Sequence, residues 1–288
     1  MPAGLVLIDK PQGFTSHDVV AKLRKVLGTK KIGHAGTLDP MATGLLLLGV
    51  DAGTKLLTFL VGADKTYQAR IRLGQSTLSD DAEGEVLSQT SALHLNRAVI
   101  ETEIAKLTGR ISQVPSAVSA IKVDGKRAYD LVREGKEVEL KSREVEVSRF
   151  DLVSEISIVD EFLEFDVVVD CSSGTYIRAL ARDLGESLGV GGHLRALRRT
   201  RIGEYLVENA STLDQEPVVL DLTAAAAKIF PAAELSKQQA TDLVHGKRLV
   251  LPITGMVSAT YQGVLIGILE PVGSSYKSLV VFPEALNG

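Results

Sequence analysis

The chain has 288 residues, 45% of them hydrophobic and 24% charged, with a formal net charge of −4 and a single cysteine. This composition reads as a globular fold of one large domain, or a large one plus a small one. No apolar run approaches a membrane span, and the start MPAGLVLIDKPQG lacks the basic region of a signal peptide. The lone Cys171 excludes an internal disulfide or a cysteine metal cluster, and a reducing, cytoplasmic setting is expected.

In chain order, LVLIDKP predicts a first strand ended by Pro11. SHDVVAKLRKVLG predicts a helix that Ser16 can cap, with Val19, Val20, Leu23, Val26 and Leu27 on one face and Gly28 closing it. Residues 22–31 hold Lys22, Arg24, Lys25, Lys30 and Lys31 and no acid. GLLLLGV predicts a buried strand, AGTKLLTFLV a short helix, and KTYQARIRLG an alternating strand with Tyr67, Ala69, Ile71 and Leu73 on one side. LNRAVIETEIAKLTG predicts an amphipathic helix bringing Val99, Ile100, Ile104 and Leu107 together.

Beyond a turn at Asp124-Gly125, a helix is expected over residues 127–134, then strands around 145–153 and 162–171. SSGTYIRALARDLGESLG turns at Gly174 into a helix with Ile177, Leu180, Ala181, Leu184 and Leu188 inward. RALRRTR, with Arg195, Arg198, Arg199 and Arg201, is read as a helix or turn, and acids gather instead in residues 151–170. Such segregation can put a basic, phosphate-binding face on an acidic protein, and the two basic clusters are expected on one surface. After about Ile229 a short helix and a β-rich stretch, with turns at Gln262-Gly263 and Gly273-Ser274, predict a small β-barrel.

One stretch carries chemistry. In GHAGTLDPMATGLL, residues 33–46, Pro40 pushes Asp39 away from helical geometry, and Gly33, Gly36 and Gly44 permit backbone angles closed to other residues. Asp-Pro by itself is a common turn opener. The stretch lacks the Lys-Ser/Thr pair of a phosphate-binding loop, no Gly-x-Ser-x-Gly elbow occurs, and His34, His94, His193 and His245 have no metal-ligand spacing. A lone carboxylate acting as nucleophile needs a cation to hold it, a group to hold the substrate, and exclusion of water. GTYIR offers Tyr176 and Arg178 where a strand gives way to a helix, and Tyr67 offers a second ring.

The ordered set LIDKPQGFTSHDVV, GHAGTLDPMATGLLLLGVDAGTK, KTYQARIRLG, VPSAVSAIKVDGKRAYDLVREG, CSSGTYIRALARDLGESLG and HLRALRRTRIGEY resembles the bacterial tRNA pseudouridine-55 synthase family, the TruB family. The resemblance covers roughly residues 4–205, and the C-terminal region looks, more weakly, like a PUA-like domain. It implies an α/β (α+β) fold: a mixed, mostly antiparallel central sheet with packed helices over residues 1–228, and a small PUA-like RNA-binding barrel over 229–288. It implies an isomerase that flips the T-loop uridine of tRNA and rejoins its base to ribose through carbon. Asp39 then matches the catalytic aspartate, Arg178 its paired arginine, and Tyr67 the tyrosine stacked on the flipped base. Tyr176 and Leu197 match pocket residues, Asp81 a polar pocket residue, and His34 a histidine packed into the opened loop. Lys55, Arg198 and Arg201 complete the expected RNA-binding set, and Lys10-Pro11 matches a mainly structural pair.

Isomerisation is redox-neutral, so no cofactor and no metal are expected. The expected partner is the T-arm stem-loop of tRNA, met by a cytoplasmic monomer that needs no protein partner and no membrane. Asp39 can attack the pyrimidine ring or the sugar carbon. Leu78 stands where many members have an acid, and Val118 where an aromatic is common. Two other readings compete: a non-catalytic tRNA-binding or tRNA-folding protein, and a carboxylate glycosidase or nucleotidase.

Overall fold

The computed structural model describes residues 3–116, 122–123, 126–127 and 140–286. Its main sheet is built from β1 (Gly4–Lys10), β2 (Thr43–Val50), β3 (Lys65–Leu73), β4 (Gly109–Gln113), β5 (Arg143–Leu152), β6 (Phe162–Cys171), β7 (Gly192–Ile202) and β8 (Val219–Asp221). These run in the order β8–β1–β2–β7–β3–β6–β5–β4, antiparallel throughout except for the parallel pair β2–β7. That is the mixed, mostly antiparallel sheet expected from the sequence.

Alternation along the strands gives the sheet two different faces. On one, helix α1 (Ser16–Val26) packs Val19, Val20 and Leu23 against Val6, Ile8, Leu46 and Leu48. Farther along that face, α2 (Arg97–Lys106) and α3 (Ile177–Ser187) cover Ala69, Ile71, Phe150, Phe165 and Val167 with Ile100, Ile104, Leu180 and Leu184. On the other face Leu5, Leu45 and Leu47 meet Leu57 and Leu60 from a helical turn at Leu57–Val61.

Several local expectations need correction. The α1 cap is Thr15, not Ser16: its hydroxyl accepts from the Asp18 N–H at 3.1 Å, and the Asp18 carboxylate accepts from the Thr15 N–H at 2.8 Å. This leaves the Ser16 hydroxyl to bond the Leu38 backbone, accepting from its N–H at 2.9 Å. Val99 points to solvent while Ile100 and Ile104 are buried. RALRRTR lies within strand β7, because both β2 and β3 bind it as a ladder partner. The Asp124-Gly125 turn, the helix expected over 127–134 and Val118 lie outside the described residues.

The C-terminal stretch forms a four-stranded sheet, β9 (Ala232–Glu234), β10 (Val257–Tyr261), β11 (Val264–Val272) and β12 (Ser275–Val281), with helix α4 (Lys237–Val244) against it. Both expected turns are present, with positive φ at Gln262, Gly263 and Gly273. Strand β11 is apolar on both faces because both are covered. Ile266 joins a local core with Leu243, Val257 and Tyr276, whereas Leu265 and Ile268 join Leu5, Leu45, Leu47 and Phe282 in the main body.

Gly44 permits the parallel β2–β7 pairing. Its φ is +100°, and a Cβ there would sit 2.2 Å from the Arg199 carbonyl oxygen. Replacing it strains the backbone and forces two paired strands apart. Gly44→Ala is expected to lower the urea-unfolding free energy by about 3 kcal/mol or more. A loss under about 1 kcal/mol would mean that the pairing adjusts freely.

Candidate active site

The Asp39 loop is held from two directions. From the β1–α1 connection, the Gly13 N–H donates to the Pro40 carbonyl at 2.8 Å. The buried Lys10 ammonium donates to the carbonyls of Phe14 at 2.6 Å, Pro11 at 3.0 Å and Pro40 at 3.4 Å. From β7, Arg199, only 1% exposed, donates to the carbonyls of Leu45 at 2.8 Å and of Gly36 and Thr37 at 3.2 Å each. A chain segment whose carbonyls are satisfied on both sides cannot swing. The Asp39 side chain projects from it, 41% exposed, into a cavity of about 250 Å³.

Arg178 meets it there. Its Nε lies 3.1 Å from Asp39 Oδ2, while its Nη1 donates to Asp81 Oδ2 at 3.1 Å and to the Ser79 carbonyl at 2.9 Å. From the second residue of α3, the guanidinium reaches back along the helix toward its N-terminus and so toward the cavity. Tyr67, Leu197, Tyr176, Lys65 and Arg199 also line it, together with Gly36, Thr37, Ser173, Gly174 and Thr175. The result is an exposed carboxylate clamped by a buried arginine beside two tyrosine rings. A planar, unstacked base could lie on such rings, and the carboxylate could attack it or its sugar.

The residues expected from the sequence separate into two groups. Asp39, Arg178, Tyr67, Tyr176 and Leu197 converge on the cavity. Asp81 sits behind Arg178 rather than on the wall, buried and bonded by the Ser79 hydroxyl at 2.5 Å. His34 lies off the wall on a short strand, its ring edge-on to His17 at 6.0 Å. Burial keeps its imidazole below the ordinary histidine range. Exposed Leu78 leaves its turn to backbone bonds, its N–H donating to the Glu85 carbonyl at 2.9 Å.

Three expected RNA contacts fall elsewhere. Lys55 donates to the Val281 carbonyl at 2.8 Å and lies 5.2 Å from the Phe282 ring centre, tying its turn to β12. Alternation turns Arg198, and a bulge between Arg199 and Arg201 turns Arg201, to the face opposite Arg199 and α1. There Arg198 forks onto Asp9 at 2.6 and 2.9 Å, and Arg201 engages Thr66 at 2.8 Å and Asp170 at 3.4 Å. The same face carries Arg70–Asp166 at 2.8 Å and Arg72–Glu164 at 2.6 Å. The two basic clusters therefore do not share a surface.

Sequence reasoning missed Lys65 and Arg199 as cavity residues. Each sits within a motif it noticed, but only packing shows its partners. Lys65 donates to the carbonyls of Ala63 at 2.6 Å and Val61 at 3.1 Å. Burial lowers both Lys65 and Lys10 to about 8, opposed at Lys10 by the Asp39 carboxylate. Burial also raises the Tyr67 and Tyr176 hydroxyls, so both rings stay neutral. Among the described residues, no three or more His, Cys, Asp or Glu are grouped to hold a metal ion, and no helix is long and apolar enough to cross a membrane.

Known proteins match this arrangement along the whole chain. The N-terminal domain of the TruB family of pseudouridylate synthases matches residues 24–177, the tRNA pseudouridylate synthase B C-terminal domain 178–229, and the C-terminal domain of tRNA pseudouridine synthase II 230–283. The chain is 50% identical to the tRNA pseudouridine synthase B of Paenarthrobacter aurescens, covering 98% of this chain and 96% of that one. It is 53% identical to the same enzyme of Leifsonia xyli, covering 98% and 97%. In fold it is similar to a chain of a Cbf5-Nop10-Gar1 complex, with a TM-score of 0.71, 24% identity and coverage of 98% and 86%.

The buried lysines give the site a measurable pH signature. Between pH 8 and 10.5, folded Lys65 has released a proton that the unfolded chain still holds, so its contribution to stability rises with pH. The unfolding free energy of wild type relative to Lys65→Met is therefore expected to increase across that window. A constant difference would show that Lys65 titrates as an exposed lysine does.

Proposed function

This chain belongs to the TruB family of pseudouridylate synthases, and from that premise we propose that it converts the T-loop uridine at position 55 of tRNA to pseudouridine, with Asp39 as nucleophile. The observation that carries this reading is the exposed Asp39 carboxylate, 3.1 Å from a buried arginine and facing Tyr67 across the cavity. The bond between the ribose carbon and N1 of uracil breaks, a bond from the same carbon to C5 forms, and a proton passes from C5 to N1. Nothing is oxidised or reduced. A flipped uridine enters the cavity, and the Tyr67 and Tyr176 rings replace the stacking it leaves. Arg178, 3.1 Å away, pairs with the attacking carboxylate and aims it.

The further parts of the reading concern setting and organisation. Residues 1–228 form the catalytic domain and 229–288 a PUA-like RNA-binding domain, supported by the separate sheet that begins at Ala232. On this reading the chain acts on the T-arm as a monomer without a protein partner, in the cytoplasm. His34 contributes by packing against the opened loop. A carboxylate glycosidase is disfavoured, since the second acid on Arg178, Asp81, is buried behind the wall and already bonded by Ser79.

Two measurements test the reading. Asp39→Asn keeps shape and removes the charge. It is expected to bind an unmodified tRNA transcript within about threefold of wild type and to form no pseudouridine in single turnover. A helper in acid–base catalysis is worth about 10²–10⁴ in rate, so conversion at a hundredth of the wild-type rate would demote Asp39 from nucleophile. Neutralising Arg198, which is already paired with Asp9, is expected to leave the slope of log Kd against log salt unchanged. A slope flatter by about one would mean that Arg198 leaves Asp9 for a phosphate.

A further inference from the structure

Helix α3 brings both Tyr176 and Arg178 to the cavity, yet its first residue has no side-chain cap. Tyr176 stands at the N-cap position in an extended conformation, φ −102° and ψ 106°. What fixes that conformation comes from another strand. Gln113, the last residue of β4 and 0% exposed, accepts from the Tyr176 N–H at 2.8 Å through Oε1 and donates to the Tyr176 carbonyl at 3.1 Å through Nε2. One primary amide thus makes the pair of hydrogen bonds that a neighbouring strand residue would make. Arg143, directly opposite Gln113 in the β4–β5 ladder, places its guanidinium 5.6 Å from the centre of the Tyr176 ring. Two cross-strand neighbours therefore grip one residue, one by its backbone and one by its ring.

The next contact along reinforces the same junction. The carbonyl of Val114, one residue after Gln113, accepts from Arg182 Nη2 at 2.7 Å. Arg182 in turn reaches Asp80 at 3.2 Å, beside the Ser79 and Asp81 groups that hold Arg178. The end of β4 is docked on α3 at two points, its N-cap and its middle, and Gln113 is the one that touches Tyr176.

We propose that Gln113 is a positioning residue for the isomerisation: its amide sets the Tyr176 peptide and so aims the Tyr176 ring at the substrate and the Arg178 guanidinium at Asp39. The proposal rests on the reading of the cavity as the pseudouridine synthase site. Gln113 does not itself line the cavity, so its removal slows the reaction without loosening tRNA.

The amide's two-way hydrogen bonding gives a test that a merely structural role would not pass. In Gln113→Glu, the ionised carboxylate accepts from the Tyr176 N–H but faces the Tyr176 carbonyl with a lone pair. Once protonated, the same carboxyl donates to that carbonyl and restores both bonds. Single-turnover rates on an unmodified tRNA transcript are compared between pH 8.5 and 5.5, with Kd measured alongside. At pH 8.5 Q113E is expected to be about 10- to 100-fold slower than wild type, because a carboxylate lone pair is forced against the Tyr176 carbonyl, which keeps only the Leu180 N–H as donor. At pH 5.5 the deficit shrinks below about fivefold, and Kd stays within about threefold throughout.

A ratio independent of pH, or a loss confined to Kd, would overturn the proposal. Gln113→Met removes both bonds without adding charge, and is expected to be slow at both pH values. Should Q113E not fold, a wild-type rate in Gln113→Met overturns the proposal on its own. An inactive wild type in the same assay overturns the pseudouridine synthase reading and this one with it. An active wild type with a flat Q113E ratio overturns only the role of Gln113.

Discussion

The site depends on a buried guanidinium spent on carbonyls. Arg199 is 1% exposed and bonds three backbone carbonyls, two of them in the loop that leads to Asp39. A charge taken out of water needs such partners, because desolvation otherwise costs several kcal/mol. The same bonds hold the loop against β7, which Gly44 admits at close range. Lys10 repeats the device from the other side, under Pro40. Two cations that never meet solvent thus determine where a third residue, Asp39, does.

The central sheet separates two uses of arginine. On the cavity face, Arg199 and Arg178 hold backbone and carboxylate groups of the site. On the opposite face Arg70 and Arg72 are matched to Asp166 and Glu164 on the neighbouring strand, and Arg198 and Arg201 to Asp9 and Asp170 one strand farther away. Cross-strand pairs of this kind contribute modestly to sheet pairing and leave little net field. The acids concentrated in residues 151–170 and the arginines of RALRRTR are therefore complementary parts of one surface. Separation in sequence became pairing in space.

That result shows which features were legible beforehand. Strand and helix positions followed from apolar periodicity, and the Asp39 loop followed from Pro40 and its glycines, because those are local backbone constraints. Asp39, Tyr67, Tyr176 and Arg178 could be brought together only through resemblance, since their closeness is a product of sheet order. The fate of the basic clusters was not legible at all. Whether Arg198 meets a phosphate or Asp9 depends on a register, and β7 read as a helix or turn until its parallel neighbour β2 was known. Gln113 and Lys65 escaped notice for the same reason: their partners are backbone atoms, which carry no sequence signature.

Arg178 shows why two carboxylates share one cation. Asp39 is 41% exposed and Asp81 only 5%, yet both lie 3.1 Å from the guanidinium. If Asp39 alone faced it, forming a covalent bond through that carboxylate would strip a buried cation of its partner at the moment of reaction. Breaking a buried pair in this way typically costs about 3–5 kcal/mol. Asp81, fixed by Ser79 and by the Glu83 N–H at 3.0 Å, stays beside the guanidinium whatever happens at Asp39. In the proposed mechanism the arginine then remains aimed while its exposed partner changes from anion to ester and back. The buried acid would do no chemistry there, but it would let the exposed one do so.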